Sequence, residues 1–276
     1  MTLAARNTIL VIGVILTFLA LIAFGVAGYA LLFGPYAEED LSVPRTQTWF
    51  GAQWEVGSLS AYRSLAAIGL VGLVSVAGVA ISARLFRRVS SAEIYFMTLF
   101  LMTLSVELVR IGQPLVEVAD LPVFVSVLIT RIVLFGRLVG AFSLFAAGIY
   151  SAGADYPRIG TVTALLALLA FLIVYFVPVD SERLNATFVH VIGGREGIDL
   201  MLGFLSVGTI VNYAIAWWRG HREQGASIAL AITAVVVGKL LVLHVPALVP
   251  LGIGLGLLTA GAASFILVNR SYFLWY

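Results

Sequence analysis

The chain has 276 residues, of which 61% are hydrophobic and only 11% are charged, and its formal net charge is +2. A water-soluble domain usually carries about 25% charged residues, so this chain has too little polar surface to cover a soluble globule. Its arginines are scattered between apolar segments, which excludes a single basic patch for nucleic acid. The chain has no cysteine, which excludes disulfides, thiolate metal sites and cysteine nucleophiles. The expected solvent is the lipid bilayer.

A long apolar run begins close to the N-terminus and extends from about Thr8 to Phe33. The apolar region of a secretory signal is only about 7–15 residues long, and no small-residue cleavage site ends this run. We therefore interpret the run as a retained first transmembrane helix.

The rest of the chain predicts further spans of the same kind. A helix needs about 20 apolar residues to cross about 30 Å of hydrocarbon. This criterion predicts an all-α, polytopic helix bundle in a single transmembrane domain, with residues 34–61 as an outer loop. The eight predicted spans are 8–33, 62–83, 94–112, 122–150, 160–178, 198–218, 226–245 and 248–268.

The division between the last two spans depends on two prolines. The apolar stretch from Ala226 to Val268 is interrupted by Pro246 and Pro250, which each lack a backbone donor and disfavour a continuous helix. Two helices joined by a tight turn are the simplest interpretation. An alternative with seven spans and one re-entrant segment stays open.

The distribution of arginine predicts the orientation, because short cytoplasmic loops carry an excess of Lys and Arg. With the N-terminus inside, the inner segments hold twice as many arginines as the outer ones. The inner set is Arg6, Arg84, Arg87, Arg88, Arg158, Arg219, Arg222 and Arg270, and the outer set is Arg45, Arg63, Arg183 and Arg195. Both termini are thus predicted to be cytoplasmic, and we expect the cytoplasmic membrane of a bacterium.

Four ionisable residues within the predicted spans are the candidate functional residues: Glu107, Arg131, Arg137 and Lys239. A charge at mid-membrane costs at least about 2.5–3.5 kcal/mol, so such a group tends to face the bundle interior and to pair. From the predicted span ends, helical rise places Glu107, Arg131 and Lys239 about 8–13 Å deep and Arg137 about 22 Å deep. Arg110 is expected to reach the nearby membrane surface.

The depths lead to specific pairing hypotheses. Arg131 is the first expected partner of Glu107 and Lys239 is the second, whereas Arg137 has no acidic side chain at its predicted depth. Two functions follow. Either the charges are structural pairs that hold neighbouring helices together, as in a sensor or assembly partner, or they line a cavity in the outer half that binds a small anionic ligand. The second hypothesis, a carrier or binding protein, depends on an excess of two positive charges, which attracts a carboxylate or a phosphate.

Other polar residues are predicted at the outer mouth of the bundle: His190, Glu196, Asp199 and His244. His190, Glu196 and Asp199 form a polar gate or a metal-coordinating cluster, or they lie in a solvated loop before a helix N-terminus that favours acidic residues. The histidines match no paired zinc motif, so no metal is expected. A lysine in a late span with a carboxylate in the third span is what microbial rhodopsins use, but the other expected carboxylate is missing. We therefore expect no cofactor, and no acid, base and nucleophile converge in one motif to indicate an enzyme.

Small residues form faces on two predicted spans. Gly252 and Gly256 lie four residues apart in the last span, and Ser75, Gly78 and Ser82 lie along the second. Small residues allow helices to approach closely. Packing within the monomer is the expected use of both faces, and a homo-oligomer through Gly252 and Gly256 is the alternative.

Overall fold

A computed structural model describes residues 3–33, 46–49, 52–55, 60–85, 91–154, 158–185, 187–220, 224–244 and 248–274. Within these residues, eight helices are long and apolar enough to cross a membrane. This number agrees with the predicted all-α helix bundle, and the end of the chain forms two separate helices. Most of the predicted outer loop 34–61 and residues 245–247 of the predicted Pro turn lie outside the described residues.

The helices follow one another with short connections. Seven spans are single helices, and the third span consists of three consecutive helical pieces. The bounds are α1 (Leu3–Phe33), α2 (Ser60–Leu85), α3 (Ala92–Leu104), a 3₁₀ segment (Ser105–Ile111), α4 (Gly112–Val118), α5 (Val123–Ser151), α6 (Ile159–Phe176), α7 (Arg195–Trp218), α8 (Gly225–His244) and α9 (Leu248–Leu274).

Two short antiparallel hairpins accompany the helices. In the first, β1 (Thr46–Trp49) pairs with β2 (Ala52–Glu55) inside the predicted outer loop. In the second, β3 (Val179–Leu184) pairs with β4 (His190–Ile192) between α6 and α7, with an irregular register. The β3–β4 hairpin is a structural element that the sequence analysis treated only as a loop.

The third span changes its helical form in the middle, and Pro114 explains why. A proline inside a helix lacks the N–H that would bind the carbonyl four residues earlier, here that of Arg110, and its ring clashes with that carbonyl. The N–H of Gly112 donates to the carbonyl oxygen of Val109, which is the tighter 3₁₀ spacing. Because the helical chain continues past this place to Val118, the span is longer than predicted.

The third span and α5 lie at the centre of the bundle. They are the most buried of the eight candidate spans, whereas α1 and α6 expose most of their surface. Helix α5 packs against α3, the 3₁₀ segment, α4, α6 and α7. Any side chain that points from the third span towards α5 is therefore enclosed by protein.

The two predicted small-residue faces differ in how they pack. The face on α2 packs inside the chain, since Ser75 is fully buried and its Oγ donates to the carbonyl oxygen of Leu101 at 2.6 Å. The expected face on α9 does not pack there, because a Cβ at Gly252 or Gly256 would meet nothing within 4 Å. The close contact between α8 and α9 uses other glycines, Gly238, Gly254 and Gly261, each of which faces the backbone of the opposite helix.

Candidate functional site

The centre of the candidate site is a buried carboxylate held by two arginines. Glu107 lies in the 3₁₀ segment and is 2% exposed. Its Oε1 accepts a hydrogen bond from Arg137 Nε of α5 at 2.7 Å, and its Oε2 accepts from Arg137 Nη2 at 3.0 Å and from Arg110 Nη1 at 3.0 Å. The Arg137 contact is bidentate, which makes an arginine–carboxylate pair strong and directional. We refer to Glu107, Arg110 and Arg137 as the ion cluster.

The partners of Glu107 differ from those predicted. Arg131 was predicted as its first partner and Lys239 as its second, whereas the ion pairs of Glu107 among the described residues are with Arg110 and Arg137. Arg137, expected to lack an acidic partner, forms the shortest of these contacts. Arg131 is only partly buried, and its Nε finds no hydrogen-bond partner in the described part of the chain.

The error in the pairing comes from the end of the third span. The depth of Glu107 was measured from Gly112, but the helical chain ends at Val118. Counted from Val118, Glu107 lies about 18 Å along the span. Arg137 lies about 21 Å from the start of α5 by the same rise, so the two side chains come to nearly the same level.

Arg110 does not reach the membrane surface as expected. Its side chain is 2% exposed and its Nη2 donates to the backbone carbonyl of Thr187, in the turn of the β3–β4 hairpin. Its Nε has no hydrogen-bond partner among the described residues. Arg110 therefore connects the ion cluster to the hairpin and keeps one buried donor unused.

Lys239 lies close to the ion cluster without an ion pair to a described residue. It is on α8 and 8% exposed, and its Nζ lies 5.6 Å from the centroid of the Phe100 ring, a cation–π contact. Glu107 and Arg137 are both within electrostatic range of its ammonium group. His244, predicted at the outer mouth, is buried at the end of α8, within electrostatic range of Lys239 and of the ion cluster.

The charges at this place do not cancel. Arg110, Arg137 and Lys239 contribute three positive charges, and Glu107 is the one described carboxylate that forms an ion pair with any of them, which leaves an excess of two. The same excess was predicted from the sequence, but with Arg131 in the place of Arg110. An excess of buried positive charge in a medium of low dielectric attracts an anionic group.

The space beside these charges is small. A cavity of about 10 Å³ adjoins Arg110 and Thr187, with apolar walls that include Ile68, Val71 and Val242. About 10–15 Å³ is the minimum that holds one water molecule. In this conformation the cavity therefore has no room for a carboxylate or a phosphate.

The β3–β4 hairpin is anchored to the helices by a buried polar network. Ser126 Oγ of α5 lies 2.5 Å from Gln113 Oε1 of α4 and 2.5 Å from His190 Nε2 of β4. Gln113 Nε2 donates to the Ser126 carbonyl oxygen at 2.9 Å and to Thr130 Oγ1 at 3.2 Å, and the His190 backbone N–H donates to Thr130 Oγ1 at 3.1 Å. His190 thus belongs to this network and not to a solvated mouth. Gln113 was not among the site residues predicted from the sequence. An amide side chain beside a proline inside an apolar run could have identified it as a candidate.

The turn of the hairpin also inserts an aromatic side chain among the helices. Phe188 is 2% exposed and packs in a cluster with Leu108, Ile111 and Ile68. Its φ of 55° is uncommon for a residue other than glycine. Such a conformation persists where the surroundings determine it, so the packing of Phe188 holds the turn against the third span and α2.

The remaining residues predicted at the mouth lie at the start of α7. Asp199 Oδ2 lies 3.5 Å from Arg195 Nε, and Asp199 is within electrostatic range of Arg137. Glu196 is exposed. In the described part of the chain, no three His, Asp or Glu side chains come together as a metal site.

Comparisons with known proteins give one partial similarity. No protein-family model matches the chain, and no solved structure matches it. An uncharacterized protein of Treponema pallidum (strain Nichols) is 32% identical over 127 residues, which cover 41% of this chain. The matched region is 37% of that relative's length. The similarity is thus to part of a bacterial protein whose name states no activity.

Proposed function

We propose that this chain is a multi-pass protein of a bacterial cytoplasmic membrane, with both termini in the cytoplasm, that binds and carries a small anion. The binding site is the ion cluster together with Lys239. The observation that carries this proposal is the excess of two positive charges around Glu107. The bacterial relative and the arginine distribution support the location and the orientation.

An incoming anion has two cations available without breaking the bidentate pair of Arg137 and Glu107. Among the described residues, Lys239 forms no ion pair and has a cation–π contact with the Phe100 ring, and the Nε of Arg110 has no hydrogen-bond partner. A carboxylate or phosphate between them would receive charge-assisted hydrogen bonds, which are about twice as strong as neutral ones. The excess charge is then neutralised by the ligand.

The β3–β4 hairpin is the proposed gate, because the cavity beside Arg110 is too small for such a ligand. Arg110 donates to the Thr187 carbonyl oxygen at the turn of the hairpin. Withdrawal of the turn would free this donor and open the volume that Phe188 fills. A ligand oxygen then replaces the Thr187 carbonyl as the acceptor from Arg110.

The test is anion binding to the purified protein in detergent at constant ionic strength. Acetate, succinate, phosphate and sulfate are titrated while the thermal unfolding temperature is measured. A ligand at 100 times its dissociation constant adds about 2.7 kcal/mol to the free energy of unfolding. We expect one of these anions to stabilise the native protein and Lys239→Arg, but not Lys239→Met. The matched control is Arg158→Gln, which removes an exposed arginine far along the chain from the cluster.

Transport is tested separately from binding. Proteoliposomes that contain the native protein should take up the radiolabelled anion found in the binding experiment, and liposomes with the Lys239→Met protein should not. Binding without uptake would leave a receptor or binding protein and exclude a carrier. If no anion stabilises the native protein, or if Lys239→Met binds as well as the native protein, the proposal is wrong.

A second candidate is a membrane component whose buried charges are purely structural. The observation in its favour is that the Glu107 carboxylate already accepts three hydrogen bonds from its own chain. For this function we expect Lys239→Met to raise the unfolding temperature, because it removes a buried charge that has no ion pair among the described residues. We also expect no anion to have an effect that depends on Lys239.

A further inference from the structure

A second candidate site is a groove between α1 and α2. It is a groove of about 660 Å³ between the first turns of α1 and the last turns of α2. This volume lies within the range of about 300–1,000 Å³ that is usual for ligand sites. The groove shares no lining residue with the ion cluster or with Lys239, so its function is independent of the one proposed above.

The two ends of the groove differ in chemistry. One end carries Arg84, Asn7 and Thr8, and the rest of the lining is aliphatic, including Val11, Val14 and Ala83. The lining on α1 runs from Asn7 to Val14, which corresponds to about 10 Å of helix. The aliphatic part of this lining runs from Leu10 to Val14, about 6 Å of helix. A polar end followed by an aliphatic wall matches the order of one lipid leaflet, whose headgroup lies above a hydrocarbon layer about 15 Å thick.

The polar end of the groove is positive. Arg84 is exposed in the last turn of α2 and forms no ion pair among the described residues. Arg6 precedes the groove on α1, and its Nη2 donates to Asn7 Oδ1 at 3.2 Å. This contact uses the acceptor of the Asn7 amide and leaves its NH₂ group as a donor. The end of the groove therefore presents a guanidinium and an amide N–H, and its described lining contains no carboxylate.

We infer that this groove binds one anionic phospholipid, with its phosphate at Arg84 and Asn7 and one acyl chain along Val11, Val14 and Ala83. Basic pockets between transmembrane helices are a recurrent way of holding anionic headgroups. A bidentate arginine–phosphate contact supplies the selectivity, and the aliphatic wall supplies affinity by burying the chain. A zwitterionic lipid fits the wall equally well but adds a positive charge beside Arg84.

The experiment is native mass spectrometry of the purified full chain in detergent, titrated with phosphatidylglycerol or with phosphatidylcholine of identical acyl chains. We expect one phosphatidylglycerol to be retained in preference to phosphatidylcholine. In Arg84→Gln this preference should fall about fivefold, the loss expected for one basic residue at a membrane surface. The control is Arg158→Gln, which removes an exposed arginine of the α5–α6 connection and should keep the preference.

A second pair of variants tests the aliphatic wall. Ala83→Trp fills the groove and should abolish retention of both lipids. Ala80→Leu adds a smaller side chain and should reduce the retention of both lipids. Each variant is first shown by gel filtration to be monodisperse. If Ala83→Trp is not monodisperse, Ala80→Leu alone tests the aliphatic wall. Equal losses in Arg84→Gln and Arg158→Gln would mean unspecific charge attraction, and undiminished retention in both groove-filling variants would place the lipid elsewhere. Either result overturns the inference.

Discussion

The stability of the buried charges depends on the carboxylate of Glu107. It accepts hydrogen bonds from both Arg110 and Arg137, and each of these cations would otherwise lie in a protein interior at membrane depth. Removing one partner of a buried pair usually costs about 3–5 kcal/mol, because a charge is left uncompensated. This loss of stability therefore measures the penalty of leaving the arginines uncompensated, and not the net contribution of the ion pair.

Replacing Glu107 with Gln should lower the free energy of unfolding by about 3–5 kcal/mol, because two buried guanidinium groups lose their counter-charge. The measurement is SDS-induced unfolding followed by circular dichroism. Asp180→Asn is the matched control, since the Asp180–Arg183 pair is exposed on β3 and such pairs contribute about 0–1 kcal/mol. Similar losses for both variants would mean that the ion cluster is no more important than a surface pair.

Among the helices, the contact between α8 and α9 depends on glycine at positions where the backbones nearly touch. A Cβ at Gly238 would lie 2.6 Å from the carbonyl oxygen of Gly254, and one at Gly261 would lie 2.6 Å from that of Ala231. Backbone atoms cannot rotate away as a flexible side chain can. Close approach of this kind is how helices associate tightly in a membrane.

Gly261→Ala should destabilise the protein by about 1–3 kcal/mol, because the added methyl group forces α8 and α9 apart. Gly256→Ala, on the same helix, is the control and should be neutral or slightly stabilising, since its Cβ would meet nothing within 4 Å. Thermal unfolding in detergent compares the two. Equal effects would show that the helices do not approach each other as described. If Gly256→Ala instead dissociates an oligomer, the outward glycine face is an interface.

The His190 side chain is one of the contacts that attach the β3–β4 hairpin to the bundle. His190→Ala removes the ring that contacts Ser126 and should cost about 1–3 kcal/mol of local stability. Hydrogen exchange of residues 179–192 should accelerate while that of α5 stays unchanged. Arg183→Ala, which truncates an exposed side chain on the same hairpin, should leave the exchange as it is. If both variants exchange alike, His190 is not the anchor.

What the sequence predicted well and what it missed have the same physical origin. Hydropathy is summed over about 20 residues, so the eight candidate spans were found even though Pro114 disturbs one of them. The partner of Glu107 depends on the level of a single side chain, and the misassigned end at Gly112 shifted that level by about six residues of rise. The contact of Thr187 with Arg110 joins residues 77 positions apart, and no local pattern encodes it.

At the scale of the whole molecule, the fold places two chemically different sites beside helices that differ in how far they are buried. The ion cluster lies between the third span and α5, which are the most buried spans. The groove between α1 and α2 that we propose as a lipid site, hereafter the lipid groove, lies beside α1, one of the least buried spans. A charged cluster needs protein around it because lipid cannot solvate it. A lipid site needs the opposite, a helix pair open to the bilayer.

The orientation of the whole molecule can be tested directly because the chain has no cysteine. Eight spans with the N-terminus inside place β3 outside and the α5–α6 connection inside. Single-cysteine variants Glu182→Cys and Arg158→Cys are both at exposed positions, so their labelling depends on sidedness and not on burial. In intact spheroplasts of a bacterial host, a membrane-impermeant maleimide should label Glu182→Cys alone, and both variants should react after lysis.

The outcomes of this labelling separate two parts of the prediction. Reversed labelling would mean that the arginine excess has been assigned to the wrong side, and the lipid groove would then face the outer leaflet. Labelling of both variants, or of neither, would mean that the two positions lie on the same side and that α6, which alone lies between them, does not cross the membrane. Labelling of Glu182→Cys alone would also place the proposed gate at the outer face, where an anion from outside the cell first meets the ion cluster.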